Sequence, residues 1–389
     1  MRWERDDAKL DRVRALMADA GLDALVVRAP DNVLYLTNFW GMKGYDACVF
    51  PREGEPTLIC LEASAEDAAE TAWTQDVRYV RGYDPADARP PLARTLELAV
   101  AVAGGYDRVA VELTLGTQAA DRMVGEPTTF TKGWFDAFPG AADAGTVLVG
   151  ARALKTAQEV ARLRIANEIA ADAMECIRDE LRVGMRESEA AAIWQGFVHG
   201  QGTARADVSL ALPFSLVWAG RGIKTFTSTG DLLVTADEPV LFEIWVCADG
   251  YWADHTKNLV VGELRDDYRE LESGLAEVYD RAVAHCVPGA SLAELDVLVR
   301  DGLAELGYPG QPTHPICHGV GARAHEPPYA HQATAGQPGS TVHEGMVLAI
   351  EPGVYWAGGG GLRVEDNFLI GPDGAEKLSA FPDGIVRCA

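Results

Sequence analysis

The stretch VLFEIWVCADGYWADHTKNLVV, residues 240–261, decides how the chain is read. Two near-continuous apolar runs flank a short turn, the pattern of a hairpin whose strands are buried on both faces. Each run nevertheless carries a carboxylate, Glu243 in the first and Asp254 in the second. Counted outward from the point between Ala248 and Asp249, the two are equidistant. A regular antiparallel pairing about that point sets them opposite each other on one face. The stretch MVLAIEPGVYWAGGGGLRVEDNFLI, residues 346–370, repeats the arrangement, with Glu351 and Glu365 equidistant from Gly358 in a glycine run that suits a hairpin loop.

Any one of these carboxylates could lie on a half-exposed strand. All four cannot, because the runs that hold them are of buried-strand type. A buried carboxylate must be protonated or find positive charge. Arg363 precedes Glu365 by two residues on the same face, but no cluster of lysines and arginines is at hand to balance four carboxylates. A pair of divalent cations can. The segment HPICHGVGARAHEPP, residues 314–328, offers imidazole through His318 and His325. Four carboxylates with one imidazole form a hard, oxygen-rich set that suits manganese or iron(II), with cobalt or zinc also able to fill it. Two such ions about 3.5–4 Å apart generate hydroxide and clamp a reacting carbonyl. HEPPYAH and HEGMV lack the second histidine of a zincin helix, and GRGIK has the wrong spacing for a phosphate loop.

The rest of the chain frames this site. Its 389 residues suit two domains, and a net charge of −24 argues against a nucleic-acid partner. No apolar run reaches the ~18 residues that span a membrane, and MRWERDDAKL lacks the apolar core of a signal peptide. Seven scattered cysteines read as reduced thiols, so a cytoplasmic setting is expected. Up to about residue 150, short apolar runs (LDALVVRA, DACVF, PTLIC, RVAVEL, TVLVG) among helical stretches form an α/β domain without a catalytic constellation. Beyond it a plan occurs twice: a long helix, a break, a second helix, then strands. The breaks align as Gly184 with Gly289, a shift of 105, and the carboxylates as Glu243 with Glu351, a shift of 108. Two halves related by a pseudo-twofold are expected.

DGYWADHTKNLVVG, HGVGARAHEPP, AIEPGVYW and GLRVEDNFLI, taken in order, resemble the sequence blocks of the creatinase–prolidase–aminopeptidase P branch of the pita-bread metallohydrolases, over the whole chain. The resemblance implies an α+β protein: a creatinase-like α/β N-terminal domain, residues 1–152, then a duplicated pita-bread catalytic domain, residues 153–389. It implies metal ligands Glu243, Asp254, His318, Glu351 and Glu365. In it His325 polarises the substrate, Glu351 also takes the proton of the attacking water, and Arg363 orders the site. It further implies a homodimer in which the N-terminal domain reaches over the neighbour's site, with Trp40 and Lys43 of TNFWGMKGYD as a substrate-binding wall and cation.

Three departures stand out. Glu243 replaces the family's aspartate, Thr256-Lys257-Asn258 replaces a Thr-Arg-Thr, and Phe226 stands where the peptidases carry a histidine. The leading expectation is a dinuclear metal-dependent hydrolase of a small amide, of Xaa-Pro dipeptidase or aminopeptidase type, with manganese as the first choice of metal. Phe226, as a residue of the substrate pocket, and Glu243 together motivate the alternative, a non-peptide C–N hydrolase or lyase of the creatinase or ectoine-hydrolase type. A metal-free binding scaffold is the third class, and retention of five ligand-capable side chains argues against it.

Overall fold

The computed structural model describes residues 3–41, 44–82, 84–87, 89–112, 128–225, 227–332, 336, 340–356 and 359–388. The chain divides into two compact units, Met1–Arg152 and Ala153–Ala389.

The first unit is built on a six-stranded sheet in the order Asp76–Val80, Thr57–Leu61, Ala47–Pro51, Ala24–Val27, Val109–Val111, Ala142–Asp143. Alternation along the strands feeds two cores. Leu25, Val27, Cys48 and Phe50 enter one, and Ala24, Val26, Ala47 and Val49 enter the other. Both faces are covered by helices, which is why these strands read as unbroken apolar runs. TVLVG lies instead within the helix Gly145–Ala153. An apolar run of five carries too little periodicity to tell helix from strand.

The second unit has two cores, each a helix pair on a sheet. Helices Ala157–Glu180 and Glu187–Phe197 cover a four-stranded sheet ordered Ile385–Arg387, Tyr251–Val260, Pro239–Ala248, Ala211–Ala219. Helices Asp266–His285 and Leu292–Glu305 cover a five-stranded sheet ordered Glu326–Tyr329, Cys317–Gly319, Val347–Ile350, Asp366–Gly371, Gly374–Lys377. Helix starts are set locally. Thr156 and Glu159 form a reciprocal capping box, and the Ser291 hydroxyl accepts from the Glu294 N–H.

The duplication is visible bond by bond. Gly184 and Gly289 both adopt positive φ, 87° and 94°, a conformation open to glycine. The Gly184 N–H donates to Val234 O and the Gly289 N–H to Val342 O, each at 2.9 Å. Glu187 N–H to Leu232 O and Leu292 N–H to Ser340 O repeat the match, again at 2.9 Å. The first partners are offset by 105 residues and the second by 108. Three extra residues therefore lie between break and bridge in the second half. Pairs of helices on two related sheets leave the hairpins of both halves to meet at the centre.

Candidate metal centre

The first hairpin turns on Asp249 and Gly250, with φ of 45° and 85°, between the paired residues Ala248 and Tyr251. Asp-Gly is the favoured pair for a two-residue turn of this hand. It sets a register in which Glu243 faces Thr256 and Trp245 faces Asp254. The direct Glu243–Asp254 pairing expected from the sequence is thus off by two residues. A slip of two keeps every side chain on its face, so Glu243, Trp245, Asp254 and Thr256 still share one.

In the second hairpin the expected register holds. Ile350 pairs with Asp366 and Gly353 with Arg363, bracketing Glu351 and Glu365, while Gly358 itself lies outside the described residues. Between the brackets the ladder opens, and Glu365 pairs instead with Thr256 of the first hairpin. This crossing brings the carboxylates of both halves together.

His318 comes from the short strand Cys317–Gly319, which lies beside Val347–Ile350. Its Nδ1 lies 3.0 Å from Gly319 O, an acceptor, so Nδ1 carries the proton and Nε2 faces the carboxylates. Nε2 is 3.3 Å from Glu351 Oε1, 3.7 Å from Asp254 Oδ2 and 3.9 Å from Glu365 Oε1. His325 Nε2 lies 3.3 Å from the same Asp254 oxygen, and the two imidazoles lie 4.4 Å apart between centroids, tilted by 53°. Two overlapping donor groups result, Asp254–His318–His325 and His318–Glu351–Glu365. Most of the cluster is shut from water, but the His325 side chain is 31% exposed.

A ring of hydrogen bonds fixes these donors. Asn367 accepts from the Asp254 N–H at 3.0 Å and donates to the Asp254 carbonyl at 2.8 Å. The Thr256 hydroxyl donates to Glu365 Oε2 at 2.7 Å and accepts from Arg363 Nε at 2.6 Å. Arg363 Nη1 donates to the Tyr355 hydroxyl at 2.8 Å. That hydroxyl lies 3.0 Å from His314 Nε2, and His314 Nδ1 lies 3.2 Å from Glu351 Oε2. Behind the site Lys257, His255 and Tyr279 converge on buried Asp366, anchoring the residue next to Glu365.

Charge is crowded here. Burial, then Glu365, Glu351 and Glu243, push Asp254 well above the usual carboxylate range. Burial and then Glu351 push Glu365 to about 8. Burial would raise Glu351 as well, but His314 and His318 outweigh it and hold it low. Burial and neighbouring His318 lower His325 to about 3, so it stands neutral at pH 7. Asp254 Oδ2 and His318 Nε2 are buried and make no hydrogen bond within the protein. Two orphaned donor atoms, from an Asp and a His, converging with two Glu carboxylates fit a divalent cation.

Asp254, His318, His325, Glu351 and Glu365 thus come together. Glu243 does not enter either donor group among the described residues; its Oε2 lies 2.9 Å from Arg363 Nη2. Trp40 is half-buried in the first unit, and Lys43 and Phe226 lie outside the described residues. His314 and Tyr355 join the site beyond the residues expected from sequence; the one sequence signal for His314 is its spacing, four residues ahead of His318 in the same motif.

The chain belongs to the metallopeptidase family M24, whose model matches residues 161–372, preceded by a creatinase/prolidase N-terminal domain over residues 9–123. It is a metal-dependent hydrolase of that family. A Xaa-Pro dipeptidase of Lactobacillus delbrueckii subsp. lactis is 27% identical over 378 residues, covering 95% of this chain and 96% of the relative. A Xaa-Pro dipeptidase of Pyrococcus furiosus is 30% identical over 60% of this chain and 65% of its own. Among solved structures, the prolidase of Pyrococcus horikoshii OT3 superposes with a TM-score of 0.79 at 23% identity, covering 96% of this chain and 99% of that one.

Proposed function

We propose that the protein is a dinuclear hydrolase of small amides and that Xaa-Pro dipeptides are its substrates. One observation carries this reading: the buried, orphaned Asp254 Oδ2 and His318 Nε2 converge with Glu351 and Glu365. These four residues would hold the ions, with Glu243 completing the set from the Arg363 side. Bound divalent ions supply Lewis acidity and a hydroxide nucleophile at neutral pH. Manganese suits the donor set first, and iron, cobalt and zinc are the other ions it can take.

Glu351 takes the proton of the attacking water on a carboxylate oxygen and returns it to the leaving nitrogen. Neutral His325, at the open side, donates a hydrogen bond to the carbonyl oxygen as charge develops there. Arg363 acts at a remove, holding Glu243 and, through Thr256, Glu365. A homodimer and a cytoplasmic setting belong to the same proposal, and light scattering in solution tests the first. The test of function is elemental analysis after reconstitution, with an Xaa-Pro dipeptide panel in added manganese. Two ions per chain and turnover are expected; no bound metal overturns the reading.

Phe226, standing where the peptidases carry histidine, supports a second reading, a non-peptide C–N hydrolase or lyase of the creatinase or ectoine-hydrolase type. Creatine and ectoine assayed beside the dipeptides separate the two.

A further inference from the structure

Two of the buried carboxylates are steadied from behind by a neighbouring side chain, and a third is not. Thr256 donates to Glu365 Oε2, and His314 lies against Glu351 Oε2. Asn367, by contrast, holds Asp254 through its backbone N–H and carbonyl. Asp254 Oδ2 accepts no hydrogen bond among the described residues.

The residue placed to serve that carboxylate is Trp245. It is the cross-strand partner of Asp254, and on its other side it pairs with Phe214. Directly opposed residues share a face, so Phe214, Trp245 and Asp254 form one row on the face that carries the cluster. The Trp245 side chain is buried at 4% exposure, and its indole N–H finds no acceptor among the described residues. The Phe214 ring lies 5.2 Å away between centroids and the His325 ring 6.3 Å away, edge to face. Held between them, the indole is near enough to Asp254 for its N–H to favour the ionised carboxylate. Buried indole N–H groups also go unpaired at Trp134, Trp194 and Trp218, but those three belong to apolar cores. Trp245 instead faces, across one step of the ladder, an acid whose own oxygen is orphaned. A buried donor and a buried acceptor left unmade are each costly, and here they are neighbours.

We propose that Trp245 is a positioning residue of the metal centre: with the ions in place, its indole N–H donates to the Asp254 carboxylate and fixes its rotation. Indole nitrogen is a donor only, so Trp245 competes for neither an ion nor a proton. A neutral donor orients the carboxylate without cancelling the negative charge that the cations require. The role rests on the metal-centre reading and deepens it.

The test is heteronuclear magnetic resonance of the indole N–H groups of the nine tryptophans, in the full chain without metal and loaded with diamagnetic zinc. The Trp245 signal is assigned by its absence from Trp245→Phe or Trp245→Tyr. In wild type it should move downfield on loading, the mark of a newly made hydrogen bond. Zinc affinity, by competition with a chelator, should fall about tenfold or more in Trp245→Phe, which keeps a ring beside Phe214 and His325 but no donor. Phe214→Leu, which loosens the seat and leaves the donor, should keep most of the affinity. An unmoved indole signal, unchanged affinity in Trp245→Phe, or an equal loss in Phe214→Leu overturns the role. So does a signal that moves only when an Xaa-Pro dipeptide is added, which would give the N–H to the substrate. Wild type that takes up no zinc overturns the metal centre as well, whereas zinc bound beside an unmoved indole overturns this role alone.

Discussion

Thr256 and Glu365 exchange both backbone hydrogen bonds, 3.3 Å each way, and the Thr256 hydroxyl donates to Glu365 Oε2. Thr256 belongs to the first hairpin and Glu365 to the second. The two halves of the duplicated unit are therefore joined within the carboxylate cluster itself. Because Arg363 Nε donates to the same hydroxyl, its one proton is directed at Glu365, and the carboxylate's orientation is set from behind.

Thr256→Val tests that role. The change keeps the shape of the side chain but leaves Glu365 Oε2 and Arg363 Nε without their partner. Manganese affinity, measured by competition with a chelator, should fall about 10–100-fold. Thr256→Ser should restore most of it. Affinity unchanged in the valine variant would mean that Glu365 is held by its backbone alone.

Glu351→Gln removes both a donor charge and the proton acceptor, and turnover should fall by at least ~10²–10⁴-fold with the fold intact by circular dichroism. Turnover within about tenfold of wild type would contradict the assignment. His325→Ala should lower turnover while sparing metal content. Loss of metal in that variant would make His325 a ligand, as its place beside Asp254 also allows.

Much of this site could be read from residue order because its logic is local. The repeat offsets of 105 and 108 correspond to real paired bridges, and symmetry about Gly358 gave the second hairpin's register. The first hairpin pairs two residues away from the register its symmetry predicts. The apolar pattern constrains only the face, while the register is set by the preference of Asp249-Gly250 for a two-residue turn. His314 and Tyr355 escaped notice because they act through a chain of contacts ending on Glu351 and Arg363, and no local pattern encodes such a chain. The Glu243–Arg363 contact was hidden for a related reason. It joins side chains of two different hairpins that only the folded unit brings together.

Asp46, in the first unit, gives a pH-dependent prediction. Burial raises its carboxyl from the ordinary 3.8 to about 6. The folded state then binds more protons than the unfolded chain between those values, so stability falls as pH rises from about 4 to 6 and stays reduced above. A shift of this size corresponds to about 2–3 kcal/mol. Asp46→Asn should therefore unfold at higher urea than wild type at pH 7.5, and the gap should close near pH 3.5. A gap independent of pH would mean that Asp46 titrates normally.

Arg363 is buried at 1% exposure, and Glu243 is its nearest carboxylate, at 2.9 Å, with Glu365 next at 3.8 Å. Taking Glu243 away leaves a buried guanidinium with only the farther charge, a loss typically on the order of 3 kcal/mol. Glu243→Ala should therefore lower the urea midpoint in the presence of a chelator, where no bound ion contributes. If Glu243 also completes the metal set, the ions bound per chain should drop from two to one in the same variant. Reduced stability with two ions still bound would make Glu243 only the counter-ion of Arg363. Wild-type stability would show that Glu365 alone balances the guanidinium and that the ion pair contributes little.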